Sequence, residues 1–333
     1  MKNRHLVIIA LPIVLLIGIY FSGPQPSKPI FDKKLKTILA EPSGLEAYVS
    51  LNEGKHRIKP DNEARIIWAD SSRQKTEYAV VYLHGFSASQ MEADPVHRRF
   101  AKQFVCNLFL SRLADHGVDT TEVLLQFTAD RFWESAKEAL AIGKAIGDKV
   151  ILMSTSTGGT VALMLAAEYP NDVFALINMS PNIAINDPAA FLLNDPWGLQ
   201  IARMVTGGNY REWIADEQRV KHWNNKYRLE SLVQLEELVE SSMNKETFSK
   251  VKQPSLTLYY YKSEEEQDPE VKVSAMLEMN KLLGTPDSLK MTVAIPNAGA
   301  HVLGSSLVSK DVEGVYAEIK KFAGESLKMK KTN

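Results

Sequence analysis

The chain has 333 residues, 45% hydrophobic and 24% charged, a composition suited to one large folded core with room for an insertion. Its 39 basic and 40 acidic residues leave a formal net charge of -1, and the Lys and Arg residues are scattered, which excludes the basic stripe of a nucleic-acid binder. One cysteine, Cys106, excludes a disulfide framework, and no clustered Cys/His spacing points to zinc, so neither a metal nor a cofactor is expected.

Met1 to Arg4 is basic and Leu6 to Phe21 is an almost uninterrupted apolar run. Residues 1–23 are therefore expected to be an N-terminal hydrophobic helix, a membrane anchor or signal segment, outside the fold proper. Sixteen residues at about 1.5 Å each give roughly 24 Å, a little under the roughly 30 Å hydrocarbon core of a bilayer. The exit sequence Tyr20 to Pro24 does not carry small residues at both positions a cleavage site needs, which favours an uncleaved anchor. Lys2 and Arg4 before the run place the N-terminus in the cytoplasm and the rest outside it, anchored, or exported if the segment is cleaved. Residues 24–44, rich in Pro and polar groups, read as a spacer.

The folded unit is expected from residue 45, with short strands at Ala47 to Leu51 and Ala64 to Ala69 and a buried one at Tyr78 to Leu83. A helix from about Asp94 to Phe104, a strand Val105 to Leu110 and a helix from about Arg131 to Ile146 follow. Strand Lys149 to Met153 then feeds an Ala-rich helix beginning at Gly158 or Gly159, and further strands are Val173 to Met179, Ser255 to Tyr261 and Met291 to Ile295. Strands alternating with helical patterns of ten or more residues predict an α/β fold with a mostly parallel, doubly wound sheet. The alternation stops across residues 182–252, read as an inserted helical cap between core segments 45–181 and 253–326. Phe191, Leu192, Leu193 and the cap tryptophans are candidates for an apolar pocket.

In such a sheet, reactive groups gather at the carboxyl ends of the strands. Ser154-Thr155-Ser156-Thr157-Gly158-Gly159 is a small-x-Ser-x-Gly elbow, whose small neighbours allow a tight strand-to-helix turn that holds the Ser156 hydroxyl clear of its strand. The N–H of Thr157, at the start of the following helix, lacks an internal partner and is a candidate donor to an oxyanion. His301, on a small-residue loop after the last strand, is the candidate base. His56 and His97 lie in polar surroundings, His222 lies in the cap, and His116 is a weaker rival. Orienting the imidazole requires a carboxylate after the strand between them. Glu264, Glu265, Glu266 and Asp268 stand there; Asp268, just ahead of the helical pattern Val271 to Leu283, is chosen, although a shift of one residue at the strand end would favour a glutamate. The N–H of Phe86, in His84-Gly85-Phe86-Ser87, is the candidate second oxyanion donor.

These residues resemble the α/β-hydrolase family, in particular its carboxylesterase and monoacylglycerol-lipase-like branch. Val81 to Ala88 is similar to the oxyanion segment, Ser154 to Gly159 to the nucleophile elbow, Gln267-Asp268 to the acid loop and Ala298 to His301 to the base loop, over roughly Leu45 to Ala323. Ser154 departs from the glycine usual there. The resemblance implies Ser156 as nucleophile, Asp268 as acid, His301 as base, and the Phe86 and Thr157 N–H groups as oxyanion donors. It also implies a small-molecule ester as substrate, hydrolysed through an acyl-enzyme. The same groups would serve an amide or peptide hydrolase, and a chain keeping the fold without the chemistry would be a ligand-binding module.

Overall fold

The computed structural model describes residues 15–38 and 41–330. After α1 (Pro42–Glu53) come β1 (Arg65–Ile67), β2 (Thr76–Leu83), α2 (Val96–Gln103), β3 (Asn107–Leu110), α3 (Ala129–Ile146), β4 (Gly147–Thr155), α4 (Thr157–Glu168) and β5 (Val173–Met179). A second stretch holds α5 (Gly198–Thr206), β6 (Tyr210–Glu212), α6 (Glu217–His222), β7 (Lys226–Arg228), α7 (Leu229–Ser242) and α8 (Lys245–Lys250). The chain then returns through β8 (Ser255–Tyr259), α9 (Val273–Leu282), β9 (Lys290–Ala294) and α10 (Val312–Glu325).

Seven strands form one sheet in the order β1-β3-β2-β4-β5-β8-β9, every pair parallel except the edge pair β1 and β3. A sheet covered on both faces needs apolar residues at consecutive positions, and Ala79 to Leu83 of β2 are all fully buried. Alternation sends Ala79, Val81 and Leu83 to a face packed by α3, α4 and α7, and Val80 and Tyr82 to the face packed by α2 and α10. The segment between β5 and β8 is not purely helical, because β6 and β7 pair as an antiparallel ribbon within it.

Two expectations are corrected. Ala47 to Leu51 is helical, inside α1, where Leu45 and Val49 are buried four residues apart and Pro42 occupies the first turn. The apparent alternation of Ala47, Val49 and Leu51 misled, since Leu51 is 72% exposed while Val49 packs inward. Residues 24–38, read as a spacer, lie against the domain. The Trp133 indole and the buried Lys137 ammonium both donate to the Asp32 carbonyl, Lys137 also to the Lys34 carbonyl, and the Tyr169 hydroxyl to the Lys33 carbonyl. Phe31, Leu35 and Ile38 add apolar contacts with the core.

Most of the N-terminal apolar run, residues 1–14, lies outside the described residues. Residues 15–21 are helical, with Leu15, Leu16, Ile17 and Phe21 exposed, and among the described residues no helix is long and apolar enough to cross a membrane. Trp197 secures this end of the chain, its backbone N–H donating to the Pro24 carbonyl and its indole to that of Ile19.

Candidate active site

Ser156 occupies the turn between β4 and α4 with φ 53° and ψ -122°, a backbone state that costs a non-glycine residue on the order of 1–3 kcal/mol. The surroundings hold it there. Its N–H donates to the Met179 carbonyl at 3.0 Å, and its carbonyl accepts from Gly159 at 2.8 Å and Asn182 at 2.9 Å. Gly158 allows the approach of elbow to β2: a Cβ there would lie 2.0 Å from the Leu83 carbonyl oxygen. Ser154, where the resemblance expects glycine, is accommodated because its hydroxyl turns aside to the Asn178 side-chain oxygen at 2.7 Å.

Asp268 and His301 come together, Oδ2 to Nδ1 at 2.7 Å, with Asp268 almost fully buried. The other carboxylate oxygen, Oδ1, accepts the backbone N–H groups of Glu270 at 2.9 Å and Val271 at 3.1 Å. Burial alone would raise the Asp268 pKa, but the His301 charge and hydrogen bond, with those two N–H groups, hold it below the ordinary carboxylate value. For His301, burial pulls downward and the Asp268 charge and hydrogen bond push upward, with smaller upward pushes from Glu270 and Glu92; the result is raised to about 9. The competing glutamates are engaged elsewhere: Glu264 accepts from Tyr261, Glu265 from Ser263 and Glu266 from Lys262.

The Ser156 hydroxyl and His301 Nε2 make no hydrogen bond to each other or to another group among the described residues. They share a neighbourhood nonetheless. Met179, whose carbonyl holds the Ser156 N–H, also packs its sulfur against Gly304, three residues beyond His301.

The backbone N–H of Phe86 and that of Thr157 have no acceptor among the described residues. His84 orients the first. Its Nε2 accepts the Leu113 N–H at 2.9 Å, which leaves the proton on Nδ1 to be donated to the Gly85 carbonyl at 2.9 Å. In a trans peptide the Phe86 N–H then points away from the imidazole. Burial, the His116 charge and the Arg112 charge hold the His84 pKa well below its usual value despite the Gly85 bond, so the ring is neutral. The Phe86 ring packs among His116, Phe127 and Tyr227, edge-on to each.

His97, expected in polar surroundings, is fully buried with its ring edge-on to Tyr82, and His116, the weaker rival for the base, is fully buried within that aromatic cluster. Cys106 is buried too, and burial pushes its thiol up to about 12. Phe191 is 53% exposed and Leu192 36%, so neither lines an internal pocket; the short turn Ala190–Leu192 sits on the surface. A hollow of about 390 Å³ lies at the amino ends of β4 and β5, the opposite edge of the sheet from Ser156. Among the described residues no cluster of His, Cys, Asp and Glu could hold a metal. Sequence reasoning passed over Glu92, a buried carboxylate beside Gly85.

No protein-family model matches the chain. No curated protein matches it. Solved structures do. The chain is similar to a structure from the pair LipS and LipT, two metagenome-derived lipolytic enzymes, with TM-score 0.63 at 16% identity over 80% of this chain and 98% of the other. It is also similar to the monoacylglycerol lipase of Paleococcus ferrophilus, with TM-score 0.56 at 11% identity over 79% and 98%. A third likeness is to Est1E from Butyrivibrio proteoclasticus bound to ferulic acid, with TM-score 0.51 at 17% identity over 80% and 95%. The chain has the α/β-hydrolase fold.

Proposed function

We propose that this protein is a serine hydrolase that cleaves carboxylic esters of small molecules. The observation that carries the reading is the set of groups at the carboxyl ends of the strands: a strained Ser156 elbow, His301 hydrogen-bonded to Asp268, and two backbone N–H groups without acceptors among the described residues. The structural relatives named as lipases and esterases support esters over amides.

Ser156 Oγ attacks the ester carbonyl carbon while His301 Nε2 takes its proton. Asp268 keeps the proton of His301 on Nδ1, so that Nε2 is free to accept, and stabilises the imidazolium that forms. The carbonyl oxygen, now an anion, receives the Phe86 and Thr157 N–H groups, each worth about 10² to 10³ in rate. Collapse expels the alcohol, which takes the proton from His301 and leaves an acyl group on Ser156. Water, deprotonated by the same imidazole, then releases the acid and restores the serine.

The protein is further proposed to be anchored through residues 1–23 with the hydrolase domain outside the cytoplasm. Lys2 and Arg4 before the apolar run support that orientation, and the exposed apolar side chains of residues 15–21 support a lipid setting for this segment. Labelling of the full chain with a fluorophosphonate tests the chemistry: the wild type is labelled, and Ser156→Ala is not and loses about 10⁶ in ester turnover. A folded wild type that takes up no probe and hydrolyses no p-nitrophenyl ester overturns the proposal.

A further inference from the structure

Glu92 sits on the one-turn helix Gln90–Ala93, is 2% exposed, and has no part in the proton transfers above. Its Oε2 accepts the Gly85 N–H at 2.5 Å and the Tyr82 hydroxyl at 3.3 Å. A Cβ on Gly85 would lie 2.8 Å from Glu92 Oε1 and 2.8 Å from Ser156 Cβ, so the glycine is a thin spacer between the carboxylate and the elbow. The segment carrying Glu92 is also tied to the loop carrying His301. The Ser306 N–H donates to the Asp94 carbonyl at 2.9 Å, Pro95 and Ser305 form an antiparallel bridge, and Ala93 packs against Gly304. Trp223, between α6 and β7, closes the same corner by packing with Ala88 and with Val302, the residue after His301.

We propose that Glu92 is a positioning residue of the hydrolytic site, holding the Gly85 N–H so that the 85–86 peptide presents the Phe86 N–H beside Ser156, and placing a further carboxylate, besides Asp268 and Glu270, within electrostatic reach of His301. The proposal rests on the serine-hydrolase reading and deepens it. His84 holds that peptide by its carbonyl and Glu92 holds the preceding N–H, so the segment is pinned at both ends and the oxyanion donor is preorganised. A bond from a charged acceptor to a buried N–H is the stronger kind, and its loss leaves that N–H with nothing to donate to.

The electrostatic part has a definite sign. Burial raises the Glu92 pKa to about 7, against the lowering effects of the Gly85 N–H, the His301 charge, the Tyr82 hydroxyl and the Trp223 side chain. Asp268, Glu270 and Glu92 are the carboxylates acting on His301, all raising its pKa. His97, in edge contact with Tyr82, adds no charge near neutrality, because burial holds its pKa down to about 3. Removing the Glu92 charge therefore lowers the His301 pKa.

The test uses the full chain and two variants. E92Q keeps an oxygen for the Gly85 N–H and removes the charge; E92L removes both. Nitrogen-15 NMR of the imidazole follows the His301 titration whether or not the protein turns over, and fluorophosphonate labelling rates against pH follow the site. In E92Q the His301 pKa falls by about 0.5 unit or more, and the acidic limb of the labelling profile moves down with it. E92L, with the fold verified by circular dichroism, labels about 100-fold more slowly than wild type, and at least tenfold more slowly than E92Q, the acceptor-retaining variant. A His301 titration in E92Q that superimposes on wild type overturns the proposal, as does an E92L protein that folds and labels at the wild-type rate. If E92L fails to fold, the E92Q titration still decides. A wild type that resists the probe defeats the hydrolase reading, whereas the NMR result stands apart from it.

Discussion

Asp268→Asn replaces one oxygen by an amide nitrogen, and the structure dictates which. Oδ1 accepts the Glu270 and Val271 N–H groups at 2.9 and 3.1 Å, so the retained oxygen must stay there. The amide NH₂ is forced into the Oδ2 position, 2.7 Å from His301 Nδ1, as a donor facing what was a donor. The imidazole resolves the clash by moving its proton to Nε2, the atom that must accept the Ser156 proton. At the same time His301 loses the charge and hydrogen bond that hold its pKa up. Wrong tautomer and lost imidazolium stabilisation together are worth about 10⁴ in rate, as in serine proteases altered in the same way. The second-order rate of fluorophosphonate labelling reads this directly, with Glu265→Gln as a control expected within about twofold of wild type, since the Glu265 carboxylate accepts from Ser263 and, among the described residues, from no group of the site. An Asp268→Asn protein that folds and labels within tenfold of wild type would refute the orienting role of Asp268.

Four further outcomes follow from the same structure. The base must be neutral, so with the His301 pKa raised to about 9 the labelling rate should rise with pH through neutrality and level off only near pH 9; a flat profile from pH 6 to 9 contradicts the Asp268–His301 pairing. Because that folded pKa exceeds the unfolded value of about 6.5, the contribution of His301 to stability is complete below pH 6.5 and is lost as pH rises through about 9, while that of Asp268, whose pKa is lowered, is lost only in acid; urea unfolding against pH reads both. Gly158→Ala forces a methyl to 2.0 Å from the Leu83 oxygen, which is backbone and cannot swing away; destabilisation of roughly 3 kcal/mol or more should appear in urea unfolding, and a change under 1 kcal/mol would mean the elbow has slack. Lys137→Ala removes the ammonium that the Asp32 and Lys34 carbonyls and the Asp32 carboxylate accept from, and limited proteolysis should then cut within the arm formed by residues 24–38 at least tenfold faster than in wild type.

Local signals made the core of this protein readable. Strand, small-residue elbow and Ala-rich helix follow one another in the sequence, and β2, β4 and β5 carry the consecutive apolar residues that a doubly covered parallel sheet requires. Because reactive loops of such a sheet lie at the carboxyl ends of its strands, residues 84–87, 154–159 and 301 and the acidic loop 264–268 could be nominated from element order, without fixing which acid of that loop is used. Short elements were harder. The twelve residues of α1 mimic alternation over Ala47 to Leu51, and only the burial of Leu45 and Val49 distinguishes the helix. Arm residues 24–38 look like a spacer because their partners, Trp133, Lys137 and Tyr169, lie more than a hundred positions away.

The sequence by itself determined the order of the core strands and helices from β2 to β5 and the return through β8 and β9, the elbow at Ser156 and the glycine that lets it close on β2, because those depend on side-chain size and periodicity within a few residues. Tertiary structure alone decided that Asp268, and none of the three nearby glutamates, reaches His301, and that the 90–95 segment meets the 301–306 loop and brings Glu92 beside Gly85. The His301–Asp268 bond spans 33 positions and the Ser306–Asp94 bond far more, so they depend on how the whole sheet twists and packs, and no local pattern records that.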